Sequence, residues 1–149
     1  MIEVEATVDI DRPATEVFAF LADMANNPRW QQGMERCTWT SDPPLRLGST
    51  YDQEASFLGR SIVSSFEVVE FVDGERIRII TTGGTMPIDV TRTVTAIDDE
   101  RSRAAAVVRG EPGGWMRAAG PLMRILVGSS VRRDYRRLKE LLEDSTRPD

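Results

Sequence analysis

Apolar and polar residues alternate with a period of two over most of the first 110 positions, and with a helical period near the end. Ile2, Val4, Ala6, Val8 and Ile10 interleave with Glu3, Glu5, Thr7, Asp9 and Asp11, the pattern of a half-buried strand over residues 2–11. Pro13 follows, where proline opens a helix, and Glu16 lies early, where the helix dipole favours an anion. Val17, Phe18, Phe20, Leu21 and Met24 mark the apolar face of a short helix. Asn26-Asn27-Pro28 reads as its break and Arg29–Gly33 as another short helical turn or loop, so residues 13–33 hold two short helices.

Residues 34–109 read as six further strands: Met34–Thr40, Ser49–Leu58, Ser61–Val72, Arg76–Thr82, Pro87–Ile97 and Arg101–Arg109. The Pro-rich SDPPLRLG turn separates the first two, and Gly59-Arg60 and Asp73-Gly74 close the next two hairpins. Strands joined by such short turns run antiparallel, whereas a parallel sheet needs a helix between strands. Residues 114–143 form the one long helix, and a sheet with one apolar face needs such a cover. These elements imply an α+β domain over residues 1–149, with a curved antiparallel sheet of about seven strands wrapped around the C-terminal helix. No internal repeat, low-complexity tract or interdomain linker is visible.

At about 100° per residue the last helix carries two apolar stripes. Trp115, Met116, Ala119, Leu122, Met123, Leu126 and Val127 form the first. Val131, Tyr135, Leu138, Leu141 and Leu142 form the second, about a quarter turn away, with Asp134 on its edge. Gly120-Pro121 interrupts the first stripe, where helices kink or restart. The expectation is a bend near Pro121, with Val131–Glu143 clamping the sheet and Trp115–Val127 bordering a cavity as an adjustable part.

The ordered pieces resemble a known family. They are Ile10-Asp11-Arg12-Pro13, the helix residues Val17, Phe18, Phe20 and Leu21, the segment from Asp23 to Pro28-Arg29-Trp30, and Gly48-Ser49-Thr50-Tyr51 after the Pro-rich turn. Phe66-Glu67-Val68-Val69-Glu70-Phe71 and the ending Arg133–Glu143 complete the set. Their order and spacing resemble the START-like (Bet v 1-like, SRPBCC) superfamily of helix-grip proteins, in particular its bacterial polyketide cyclase/dehydrase-type members. The resemblance implies a deep hydrophobic cavity between sheet and helix that takes lipids, sterols, polyketides or related molecules. It implies no one reaction, since members that bind and members that catalyse share the fold.

Composition narrows the chemistry. Cys37 is the one cysteine and there is no histidine, which removes intrachain disulfides, Cys/His zinc sites and Ser-His or Cys-His nucleophile pairs. Cys37 in an alternating stretch reads as a small core residue. The lone lysine, Lys139, lies in the last helix, so no Gly-Lys-Ser/Thr phosphate loop exists, and no Gly-x-Gly-x-x-Gly run follows a strand. No signal-peptide pattern opens the chain, and the apolar window 118–131 is too short for the roughly 20 residues of a membrane span, so a cytoplasmic protein is expected. Residues 1–112 carry 11 basic and 19 acidic side chains (net −8), against 7 basic and 3 acidic (net +4) in 113–143. Arg132, Arg133, Arg136, Arg137 and Lys139 cluster, either as a face for a protein or anionic surface, or as a solvated face favoured by the helix dipole. An acidic chain overall is a poor nucleic-acid binder.

The strands offer a few polar residues in step with apolar ones. Arg92 shares a face with Ile88, Val90, Val94 and Ala96; turned inward, its guanidinium meets a carboxylate or enolate on a ligand. With the Thr91, Thr93, Thr95 and Ile97 face inward, Arg92 lies in solvent, the more ordinary place for an arginine. Tyr51 and Gln53 share a face with Ala55 and Phe57 and suit orienting a carbonyl, and Ser64 and Phe66 repeat the ambiguity one strand on. Asp52, Glu54, Glu67, Glu70 and Asp89 read as solvent-face carboxylates rather than an acid/base pair. Trp30, Trp115, Met116 and Met123 suit a cavity mouth, with plain core packing as the alternative.

The expected ligand-binding set is therefore Trp30, Tyr51, Gln53, Phe66, Arg92, Trp115, Met116 and Met123, with no catalytic residue, metal or cofactor assigned. Binding of a small hydrophobic molecule is the leading reading, and a polyketide aromatase/cyclase or dehydratase in the same cavity the second. Interaction through the basic helix face is the third. No nucleic acid and no integral membrane association are expected, and self-association as a homodimer is left open.

Overall fold

The computed structural model describes residues 2–57, 59–84, 87–111 and 120–144. Strand β1 (Ile2–Ile10) leads into helix α1 (Ala14–Ala22), a 3-10 turn (Met24–Asn26) and the one-turn helix α2 (Asn27–Trp30). Six strands follow: β2 (Met34–Trp39), β3 (Thr50–Phe57), β4 (Arg60–Val72), β5 (Arg76–Gly84), β6 (Ile88–Ala96) and β7 (Ser102–Gly110). Helix α3 spans Gly120–Asp144. The seven strands form one curled antiparallel sheet in the order β1-β7-β6-β5-β4-β3-β2. β1 pairs with β7 from Ile2 opposite Gly110 to Ile10 opposite Ser102, so both ends of the strand succession meet at one side.

Three boundaries differ from the sequence reading, each for a local reason. Pro13 occupies the position before the first helical residue of α1, with ψ 145, and its carbonyl accepts from the Glu16 and Val17 N–H groups. Asn26-Asn27-Pro28 does not break into a loop: Pro28 sits inside the first turn of α2, where no intrahelical N–H is needed. β5 runs on to Gly84 because the long β4 offers it partners, Gly83 opposite Ser65 and Gly84 opposite Ser64.

The apolar phase of each strand faces one concave side. Val4, Ala6 and Ile10 of β1 are buried there, with Ala104 and Ala106 of β7, Val94 of β6, Ile77 and Ile79 of β5, Phe66 and Val68 of β4, and Tyr51 of β3. From the other side α3 brings buried Tyr135, Leu138 and Leu142, with Val131 and Leu141 packed at the margin of the same core. The expected clamp is thus in place. The end of α3 is tied to β1 by polar contacts as well: Arg12 donates to the carbonyls of Leu142 (3.1 Å) and Glu143 (3.2 Å), and Lys139 Nζ to that of Asp9 (2.8 Å). Helices leave their last carbonyls without intrahelical donors, and Arg12 supplies two of those of α3.

The first apolar stripe of the helix fares differently. Val127 faces the interior and Leu126 is half-buried, but Leu122 is exposed, as is the neighbouring Ile125, because this part of α3 is not pressed onto the sheet. Trp115, Met116 and Ala119 lie outside the described residues, as does the side chain of Met123. The chain before Gly120 that a bend at Pro121 would need is also outside them. Among the described residues no helix is long and apolar enough to cross a membrane.

Candidate functional site

Because the sheet curls while α3 packs chiefly on β1 and touches α2, the concave face over β3–β6 is not filled. A cavity of about 250 Å³ remains there, walled by strand side chains, by Trp30, Gln31 and Met34 near α2, and by Val127, Ser130, Val131, Asp134 and Tyr135 of α3. Five of the eight residues expected to bind ligand line it: Trp30, Tyr51, Gln53, Phe66 and Arg92.

Arg92 is the decisive one. Its face of β6 is the inner one, so Ile88, Val90 and Arg92 line the cavity while the threonine side faces out, opposite to the more ordinary arrangement for an arginine. The register explains how a guanidinium fits: Arg92 lies across from Ala106 of β7, whose small side chain leaves room, and from Ile77 of β5. Arg92 is 6% exposed. Its guanidinium carbon lies 5.2 Å from the centre of the Trp30 ring, and Nη1 is 4.0 Å from the Met24 sulfur. Its Nε has no hydrogen-bond partner, and no ion pair among the described residues includes it. A buried charge without a carboxylate is costly, and the cation–π contact with Trp30 offsets only part of that cost.

The neighbours are arranged around that charge. Tyr51 stacks on Phe66 (centroids 5.3 Å apart, 12° between planes), and Trp30 tilts against Tyr135 (5.2 Å, 59°). Burial pushes both phenols above their ordinary values while the Arg92 charge opposes it, so they are neutral hydrogen-bonding groups at physiological pH. The buried Asn27 donates through Nδ2 to Gln53 Oε1 (3.1 Å), which occupies the Gln53 acceptor and leaves its amide N–H groups for the cavity. Cys37, half-buried beside Asn27, has its thiol pushed up to about 11 by burial and is a packing residue.

Asp134 was visible in the sequence only as a residue at the edge of a stripe. It lines the cavity and accepts a hydrogen bond from the Gln32 N–H (3.0 Å), which ties the end of α2 to α3. Burial raises its carboxyl to about 6, against the opposing pull of the Gln32 N–H, Arg133 and Arg92. Gln31, Met34, Ser130 and Tyr135 are further lining residues that alternation could not reveal, because three lie on or near helices whose orientation depends on docking. Of the carboxylates read as solvent-facing, Asp89 pairs with Arg78 (2.8 Å), and Glu54 with Arg36 (3.6 Å), on the outer side of the sheet.

The raised Asp134 carboxyl has a measurable consequence. Its folded value of about 6 lies above the ordinary 3.8, so the native state binds this proton more tightly than the unfolded chain does. Stability from this group is fully present below 3.8 and is lost as pH rises through about 6. Discounted for partial exposure, the deficit is about 1–2 kcal/mol above pH 7. Asp134→Asn should therefore be the more stable protein by about that amount in urea unfolding at pH 8, with the gain vanishing near pH 4.

The chain matches the family model described as polyketide cyclase / dehydrase and lipid transport over residues 1–143. Among solved structures it is similar to a START superfamily protein from Mycobacterium smegmatis, with TM-score 0.84 and 16% identity over 97% of this chain and 99% of that one. A protein from Thermus thermophilus gives TM-score 0.84 and 17% identity, over 97% and 99% of the two chains. The Zhui aromatase/cyclase from Streptomyces sp. R1128 gives TM-score 0.72 and 14% identity, over 97% and 95%. Such identities carry the fold rather than the activity. Among curated proteins none matches. With the helix-grip architecture, the cavity under α3 and a family match across nearly its whole length, this chain belongs to the polyketide cyclase / dehydrase and lipid transport family.

Proposed function

We propose that the protein binds a small, largely apolar molecule carrying a carbonyl or acidic oxygen, its body between the sheet and α3 and its oxygen against Arg92. The observation that carries this reading is the buried guanidinium, unpaired with any carboxylate among the described residues and with a free Nε, facing a wall that is otherwise mostly aliphatic and aromatic. The small volume favours a ligand of modest size, since typical small-molecule pockets run from about 300 to 1,000 Å³. Thermal unfolding with 2-naphthoate and with 2-methylnaphthalene tests the reading, because a ligand of the folded state alone raises apparent stability. The expected result is stabilisation by both, larger for the carboxylate; no response to either would overturn it.

A second reading, a cyclase or dehydratase acting on a polyketide-like substrate, is favoured by one arrangement. Tyr51, Gln53 and Arg92 converge on one cavity, together with Asp134, a carboxyl poised near neutrality. Arg92 then stabilises the oxygen of an enolate and Asp134 takes the proton from the adjacent carbon, a task that suits a base with a raised pKa. In that case turnover of a poly-β-ketone thioester falls in Arg92→Ala and in Asp134→Asn. Turnover unchanged in both variants excludes these roles.

A further inference from the structure

The basic cluster read along the last helix is divided by the fold. Lys139 pairs with Glu143 (2.6 Å) and with the Asp9 carbonyl, and Arg132 lies toward β1 beside Gly128, Glu3 and Glu5. Arg133, Arg136 and Arg137 instead face α2, where they line an outer cleft together with Arg29. The helix dipole does not account for them, because α3 continues to Asp144 and its last turn holds no basic residue.

Several cations elsewhere are neutralised, among them Arg78, Arg101, Arg103 and Arg109, each with a carboxylate oxygen within 4.0 Å, whereas Arg46, Arg76 and Arg124, in no ion pair among the described residues, stand outside this cleft. Arg29, Arg133, Arg136 and Arg137 belong to no ion pair among the described residues, although Glu140 and Asp134 line the same cleft. Four guanidinium groups against two carboxyl groups leave the cleft positive. The cleft and the inner cavity also share a wall, since Trp30, Gln31 and Asp134 line both.

We infer that the natural ligand is an amphiphile with an anionic head group, its apolar tail in the cavity and its head in the outer cleft against Arg133, Arg136 and Arg137. This rests on the cavity reading proposed above. The small cavity supports it, because the remainder of any longer ligand must project outward, and the guanidinium forks match phosphate and carboxylate oxygens.

Isothermal titration with octyl phosphate, octanol and inorganic phosphate tests it on three proteins: wild type, the Arg133→Gln/Arg136→Gln/Arg137→Gln variant and, as a control far from both cavities, Arg76→Gln on β5. Wild type should prefer octyl phosphate to octanol by about tenfold or more, the sum of a few partly screened charge contacts. The triple variant should lose that preference while binding octanol as before, which also shows that it is folded, and Arg76→Gln should keep it. A preference that survives in the triple variant, or disappears in Arg76→Gln, overturns the inference by sending the anion elsewhere or by making it a matter of net charge alone. Inorganic phosphate binding as tightly as octyl phosphate overturns it too, since the cleft would then act alone. Octanol binding without any phosphate preference sinks the inference and leaves the cavity reading standing; failure of both octyl ligands to bind while 2-naphthoate still stabilises the protein sinks the inference alone, and failure of all three sinks the cavity reading as well.

Discussion

Arg92→Met should make the protein more stable and its ligand binding weaker. The guanidinium is 6% exposed, has no carboxylate partner among the described residues and leaves Nε unbonded, so the folded state carries most of the cost of removing a charge from water. The Trp30 face, the Met24 sulfur and the Tyr135 hydroxyl recover part of it, a desolvated cation–π contact being worth about 2 kcal/mol. Methionine keeps an unbranched stem beside Ala106 without a charge, ending short of the place of the guanidinium. Urea unfolding should show a gain of about 1–3 kcal/mol, in line with other replacements of buried charge by apolar groups. The same variant should lose about 10–100-fold in affinity for 2-naphthoate, the usual worth of a hydrogen bond to a charged group, while binding 2-methylnaphthalene unchanged. A destabilised variant would mean that Arg92 is a structural residue whose partners sustain the fold, and the proposed role would fall with it.

Leu138→Ala should have the largest effect on stability. Leu138 is fully buried on the stripe of α3 that presses the sheet, in the same cluster as Ile10, Leu21 and Ile77. Truncation removes buried methyl groups and leaves a void that a closely packed wall only partly closes, a loss of about 2–5 kcal/mol. Ile125→Ala, one of the helix residues that is 65% exposed, should change stability by no more than about 0.5 kcal/mol. Denaturant midpoints of the two variants check both numbers. Equal losses would show that the forward part of α3 is pressed down as firmly as the rear, against the burial pattern found here.

Asp134 and Arg92 show where reading a sequence runs out. Period-two alternation divides β6 into Ile88, Val90, Arg92 and Val94 on one side and Thr91, Thr93 and Thr95 on the other, but either side can be inner. The choice falls to neighbours in the sheet: Ala106 and Ile77 stand beside Arg92 in register, and both belong to strands whose own inner phase is unambiguous. Asp134 lies between Arg133 and Tyr135 in a run that reads as solvated, and becomes a cavity group because α2 docks beside it and supplies the Gln32 N–H. The basic residues of the same run looked like one patch, and the fold sends them to three places.

The strands, their antiparallel succession, the clamp from Val131 to Glu143 and the family could all be read from the chain itself. Each rests on local periodicity or on turn residues a few positions apart, and such signals survive in one dimension. The inner face of β6, the unfilled space under α3, the company of Arg92 and the division of the arginines were decided only in three dimensions. They depend on how far the sheet curls and on which strand α3 presses, and those follow from contacts among residues far apart in the chain, such as the one between Lys139 and Asp9, 130 positions apart.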